Sequence, residues 1–192
     1  MTRVVVCPYN VANFLDGGGH FWVYMQYVQG LLRNGCEVFW LEQFHPRENV
    51  DADDRILAEF YARMREFGLE DRVLLYVADG GGARREWLGR SASEAEATLR
   101  GADLLLNFHY TMHPSLLALP RRTALVDIDP GLLQFWISAG QLAVHPHDCY
   151  LTTGETVGRP GARIPDCGLE WTYFRPPVCL ELWPYTHDAA SE

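Results

Sequence analysis

"RVVVCPYNVANFLDGGGHFWVYMQYVQGLLRNGCEVFWLE", residues 3 to 42, changes its apolar period twice. Residues 3 to 7 (RVVVC) and 36 to 41 (CEVFWL) are short continuous runs of branched and aromatic residues, which suit strands covered on both faces. Between them, three glycines and a histidine precede a long bulky pattern that reads as a helix. Strand, glycine turn, helix and strand is the unit from which a parallel sheet is wound.

The same alternation continues. RVLLYVA (72–78), DLLLNF (103–108), RTALVDI (122–128) and DCYLTT (148–153) read as further strands, about six in all. In DADDRILAEFYARMREF (51–67), Ile56, Leu57, Phe60, Met64 and Phe67 share one helical face. Its early aspartates and late arginines match the helix dipole. A further helix is expected where Ser93 precedes Glu96 by three residues as a capping box, with Gly101 at its end. The expected fold is α/β: a doubly wound, mostly parallel sheet in three α/β/α layers, Rossmann-like, over residues 1–157. Residues 158–192, broken by proline and glycine, are expected to be an irregular extension or linker packed on that domain.

Composition narrows the function classes. The formal charge is −9, with sixteen basic and twenty-five acidic side chains, which argues against a nucleic-acid partner. Residues 21 to 32 are too short and too polar for a bilayer span, which needs about twenty apolar residues. The start, MTRVVVCPYN, reads as a first strand and not as a signal peptide. Five scattered cysteines without a CxxC pair read as reduced thiols, so the expected location is cytoplasmic.

In a doubly wound sheet, ligand groups gather at the loops leaving the carboxyl ends of the strands. There the sequence places Gly17, Gly18, Gly19 and His20, then Asn107 and His109, then Asp127 and Asp129, then Glu155. The glycines either admit close approach by a ligand or let the loop pass a neighbour. Neither GxGxxG nor GxxxxGK[ST] is present, which excludes the usual dinucleotide and triphosphate loops. His20 is either a general base or a helix-start residue bonded to backbone. Asp127 or Asp129 is the candidate to orient it, with local capping as the alternative for both. His109 either faces a substrate or is a satisfied loop histidine. Glu155 either binds substrate hydroxyls or is a solvated turn. His145, His147 and Cys149 alternate, yet lack a second ligand pair, and no metal site is expected. Among the tryptophans, Trp22, Trp40, Trp136, Trp171 and Trp183 offer flat rings for the core or for an apolar or sugar-facing wall. There is no GxSxG nucleophile turn.

Taken in order, GGGHFWVYMQYVQGLLRNGCEVFWLE (17–42), ADLLLNFH (102–109), LVDIDPGLLQFWISAG (125–140) and CYLTTGETVGRPGARIPDCG (149–168) resemble the amino-terminal, acceptor-side half of a GT-B glycosyltransferase. The resemblance spans about residues 3 to 184. It implies a small-molecule acceptor bound here and a nucleotide-sugar donor held by a second Rossmann-like domain. It also implies a catalytic histidine after the first glycine turn, His20, with a later aspartate, Asp127 or Asp129, to orient it. Gly17, Gly18, Gly19, Asn107, His109 and Glu155 would then contact the acceptor. No second run of strands and helices follows residue 184, so the expected module binds no cofactor alone and needs a donor-binding domain or subunit. Homo-oligomerisation is the other partnership considered. The alternative function is a noncatalytic small-molecule or protein-interaction domain of the same fold.

Overall fold

The computed structural model describes residues 1–47 and 49–187. Residues 188–192, the end of the expected C-terminal extension, lie outside the described residues. The strands are β1 (Arg3–Cys7), β2 (Glu37–Gln43), β3 (Val73–Ala78), β4 (Arg85–Leu88), β5 (Leu104–Asn107), β6 (Thr123–Asp127), β7 (Cys149–Thr152) and β8 (Trp171–Tyr173). Between them run α1 (Gly19–Arg33), α2 (Val50–Glu66), α3 (Ala92–Arg100), α4 (Pro114–Leu117) and α5 (Leu132–Ser138).

All eight strands form one sheet in the order β4-β3-β2-β1-β5-β6-β7-β8. Every pairing is parallel except β3 with β4. The chain begins at the centre, winds outward through β2 and β3, then crosses to the far side of β1 and winds outward again. The reversal lies between β1 and β5, where Cys7 faces Asn107, and a crevice opens beyond such a pair at the carboxyl ends.

Period-two alternation sorts the strand residues between two cores. Val4 and Val6 of β1, with Val73 and Leu75 of β3, pack under α1 and α2, where Phe21, Tyr24, Met25, Val28, Phe60 and Met64 are buried. Val5 and Cys7, with Leu74 and Tyr76, face the opposite layer, where Ala95 and Leu99 of α3 and Leu116 of α4 close the core. Both faces of the central strands are therefore covered, which explains their continuous apolar runs.

Three expectations are corrected. The sheet has eight strands, not six: β4 is a four-residue antiparallel edge with two charged residues, and β8 is a three-residue edge. Short, half-exposed edges lack the apolar run that marks a covered strand. For the same reason the segment after 158 is not wholly irregular, because β8 pairs with β7. Beyond it the chain returns over α1, where the Cys179 N–H donates to Gln26 Oε1 at 2.7 Å. Finally, the capping box of α3 is Ser91 with Glu94, two residues before the expected Ser93 and Glu96; Gly101 is the C-cap as expected. Among the described residues no helix is long and apolar enough to cross a membrane.

Candidate functional site

Beyond the carboxyl ends of β1, β5 and β6 lies a cavity of about 510 Å³. That volume falls within the range of small-molecule sites, roughly 300–1,000 Å³. His20 and Asp129 both line it, and Tyr9, Tyr24, Phe108 and Trp136 supply aromatic wall.

His20 reaches this position because α1 starts one residue before it. Gly18 holds φ at +53° with ψ at −107°, a positive-φ conformation that strains a side-chain-bearing residue by about 1–3 kcal/mol. Gly17 is constrained differently: a Cβ there would lie 2.4 Å from the Phe14 ring. Gly19 has open space around it, and it borders a separate groove beside Trp22 and Trp183.

The partner of His20 is the backbone: Nε2 lies 2.7 Å from the Tyr9 carbonyl oxygen. A carbonyl only accepts, so this bond places the proton of the neutral ring on Nε2 and leaves the Nδ1 lone pair free. The rings of Phe14 and Tyr24 meet the imidazole edge-on at 5.7 and 5.2 Å. Such an imidazole is held at one nitrogen and carries an unshared electron pair at the other.

The two aspartates have separate situations. Asp127 ends β6 and is wholly buried. Its Oδ1 accepts from the Tyr110 hydroxyl (3.3 Å) and the Asp129 N–H (3.1 Å); its Oδ2 accepts from Gln134 Nε2 (2.9 Å) and the Thr152 hydroxyl (3.0 Å). Four donors from separate segments thus converge on one carboxylate, which fixes the turn carrying Asp129. The Asp129 side chain is exposed at the cavity wall, on the same hollow as His20.

Asn107 is also fully buried. Its amide oxygen accepts the His109 N–H at 2.9 Å, and its Nδ2 lies 3.0 Å from His147 Nε2. His109 lines the cavity with little exposure, and its Nε2 lies 3.1 Å from the Thr111 hydroxyl. Burial first, and the charge of His45 second, lower its pKa from 6.5 to about 4, so the ring is neutral near pH 7. Glu155 borders a different hollow, beside Arg159, Asp166 and Trp171. The structure therefore brings His20, His109 and Asp129 together. It assigns Asp127 and Asn107 to the buried support and sets Glu155 apart.

Cys149, His145 and His147 form no cluster: among the described residues, no group of three or more His, Cys, Asp or Glu side chains is arranged to hold a metal ion.

Glu42, absent from the candidate residues of the sequence, is a wholly buried residue of β2. Its Oε1 accepts the Ala12 N–H at 2.7 Å and its Oε2 accepts the Trp40 indole N–H at 2.8 Å. Burial pushes its pKa up from 4.5 to about 7, although those donors favour the ionised form. It pins the loop that runs from β1 toward the glycine bend. A carboxylate inside EVFWLE was the available signal, since a lone charge in a covered strand needs dedicated donors. Tyr24 and Tyr110 were also missed as cavity residues; burial raises both phenols above their ordinary value of 10.0.

No protein-family model matches the chain, and comparison with curated proteins gives no match.

Proposed function

We propose that this chain is the acceptor-side module of a glycosyltransferase, taking a small molecule with a flat apolar body and a free hydroxyl. What carries the reading is one observation: His20, with its Nε2 bonded to a carbonyl, shares with Asp129 an aromatic-walled cavity at the sheet's carboxyl edge. The switch-point location and the mix of apolar wall with few polar groups support a small-molecule site.

In this reading the acceptor hydroxyl gives its proton to His20 Nδ1. Its oxygen bonds to the anomeric carbon of the sugar donor, while the bond from that carbon to the diphosphate breaks and its electron pair leaves with the diphosphate. The Tyr9 carbonyl accepts from Nε2–H throughout, which keeps the ring aimed and stabilises the imidazolium as it forms. Asp129 adds a negative charge on the same hollow. Asp127 acts indirectly by holding the Asp129 turn. The nucleotide-sugar donor is supplied by a donor-binding domain or subunit.

A second reading, a noncatalytic interaction module of the same fold, is favoured by the exposed apolar side chains Val178, Leu180 and Trp183 on the C-terminal segment.

The test incubates the chain together with its donor-binding domain or subunit, nucleotide sugars and naphthalenediol, and follows the glycoside by mass spectrometry. Transfer that falls by about a hundredfold or more in His20→Ala supports the reading. Undiminished transfer in that variant refutes the role of His20, and diol binding without any transfer supports the noncatalytic module.

A further inference from the structure

A second hollow, of about 320 Å³, lies beyond the ends of β2 and β3 and shares Tyr9, His109 and Thr111 with the central cavity. Its character is different. His45, His113 and His145 line it together with the Asp79 carboxylate and the Gln43 amide, whereas the central cavity is walled mainly by aromatic and aliphatic groups.

The arrangement of charge decides what such a hollow can hold. A bound anion would face the Asp79 carboxylate, and the imidazole at the shared wall, His109, is neutral near pH 7. A metal cation finds no prepared cluster there, since among the described residues no three His, Cys, Asp or Glu side chains are arranged to hold one. A group rich in hydroxyls suits both kinds of wall: hydroxyls donate to a carboxylate or amide oxygen and accept from imidazole or amide N–H. The volume is near the lower end for small-molecule sites, so it has room for one sugar ring and not for a long glycan.

Building on the acceptor-side reading, we propose that the natural acceptor is already a glycoside: its flat aglycone, with a free hydroxyl, occupies the central cavity, and its sugar occupies the imidazole-lined hollow across Tyr9 and His109. The reaction that supplies this substrate is then an earlier glycosyl transfer onto the same aglycone.

The test measures binding of three probes to the intact protein by calorimetry: naphthalenediol, its monoglucoside, and hydroxynaphthoate. The monoglucoside is expected to bind about tenfold or more tightly than the diol, since a few new hydrogen bonds to a prepared site supply that factor. This advantage should fall below about threefold in Asp79→Ala and, separately, in His145→Ala, whose side chain is exposed and whose loss leaves the core intact. Equal binding of diol and monoglucoside overturns the sugar subsite while leaving the central cavity as an acceptor site. Tightest binding by hydroxynaphthoate overturns it in favour of an anion site. An advantage that survives in both variants places the sugar elsewhere and overturns it too. Failure of all three probes to bind removes the acceptor-side reading itself.

Discussion

Glu42 makes the stability of this fold depend on pH in a direction opposite to that of most carboxylates. Its pKa is 4.5 in an exposed chain and about 7 in the folded protein, chiefly because burial disfavours the charge. Below 4.5 the group is protonated in both states, and the stability it contributes is fully present. Between 4.5 and 7 the unfolded chain releases the proton first, so stability falls as pH rises. Above 7 both states are ionised and the loss is complete. The gap corresponds to roughly 3 kcal/mol. Glu42→Gln removes this titration. It introduces a constant penalty instead, about 1–3 kcal/mol, because an amide cannot accept from both the Ala12 N–H and the Trp40 indole. Urea unfolding of both proteins from about pH 4 to about pH 8 gives the comparison. The advantage of the wild type over Glu42→Gln should shrink by about 3 kcal/mol across that range. A difference that stays flat, or grows with pH, would refute the burial argument and with it the account of how the loop before the glycine bend is held.

His109 has the opposite sense. Its folded pKa of about 4 lies below 6.5, so its contribution is fully present above 6.5 and is lost as pH falls through 4; its imidazole proton resonance should titrate near 4, and an inflection near 6.5 would show a solvated ring. Asp127→Ala deprives three side-chain donors and one N–H of their acceptor and should cost about 3 kcal/mol or more in urea unfolding; a loss below about 1 kcal/mol would mean that the four bonds are not jointly required. Gly18→Ala should destabilise by about 1–3 kcal/mol through its positive φ, whereas Gly19→Ala, at the first turn of α1 with open space around it, should be close to neutral. Equal effects in thermal unfolding would contradict the assignment of the positive-φ position to Gly18.

The sequence made the covered parts of the fold legible. Central strands buried on both faces must be apolar at every position, and β1 matches its expected run while β3 and β6 differ from theirs by a residue at one or both ends. Edges such as Arg85–Leu88 and Trp171–Tyr173 carry no such requirement, so their residues resemble loop. The α3 cap was ambiguous by register, because Ser91 with Glu94 and Ser93 with Glu96 both satisfy the spacing; the helix takes the earlier one and gains additional helical hydrogen bonds. At the site, topology alone placed His20, His109 and Asp129 on loops at one sheet edge. It could not reveal that His20 takes the Tyr9 carbonyl, since a backbone acceptor leaves no mark in the sequence. Nor could it reveal that Asp127 is held by Tyr110, Gln134 and Thr152, donors brought together only by the folding of separate segments.

The proposed chemistry depends most directly on which nitrogen of His20 carries the proton. Nitrogen-15 NMR of the imidazole, recorded near neutral pH with and without naphthalenediol, measures this in the intact protein. The expected spectrum shows Nε2 protonated and Nδ1 bare, with the Nδ1 resonance moving as the diol binds. A proton resident on Nδ1, or a bound diol that leaves the His20 resonances in place, would contradict the account.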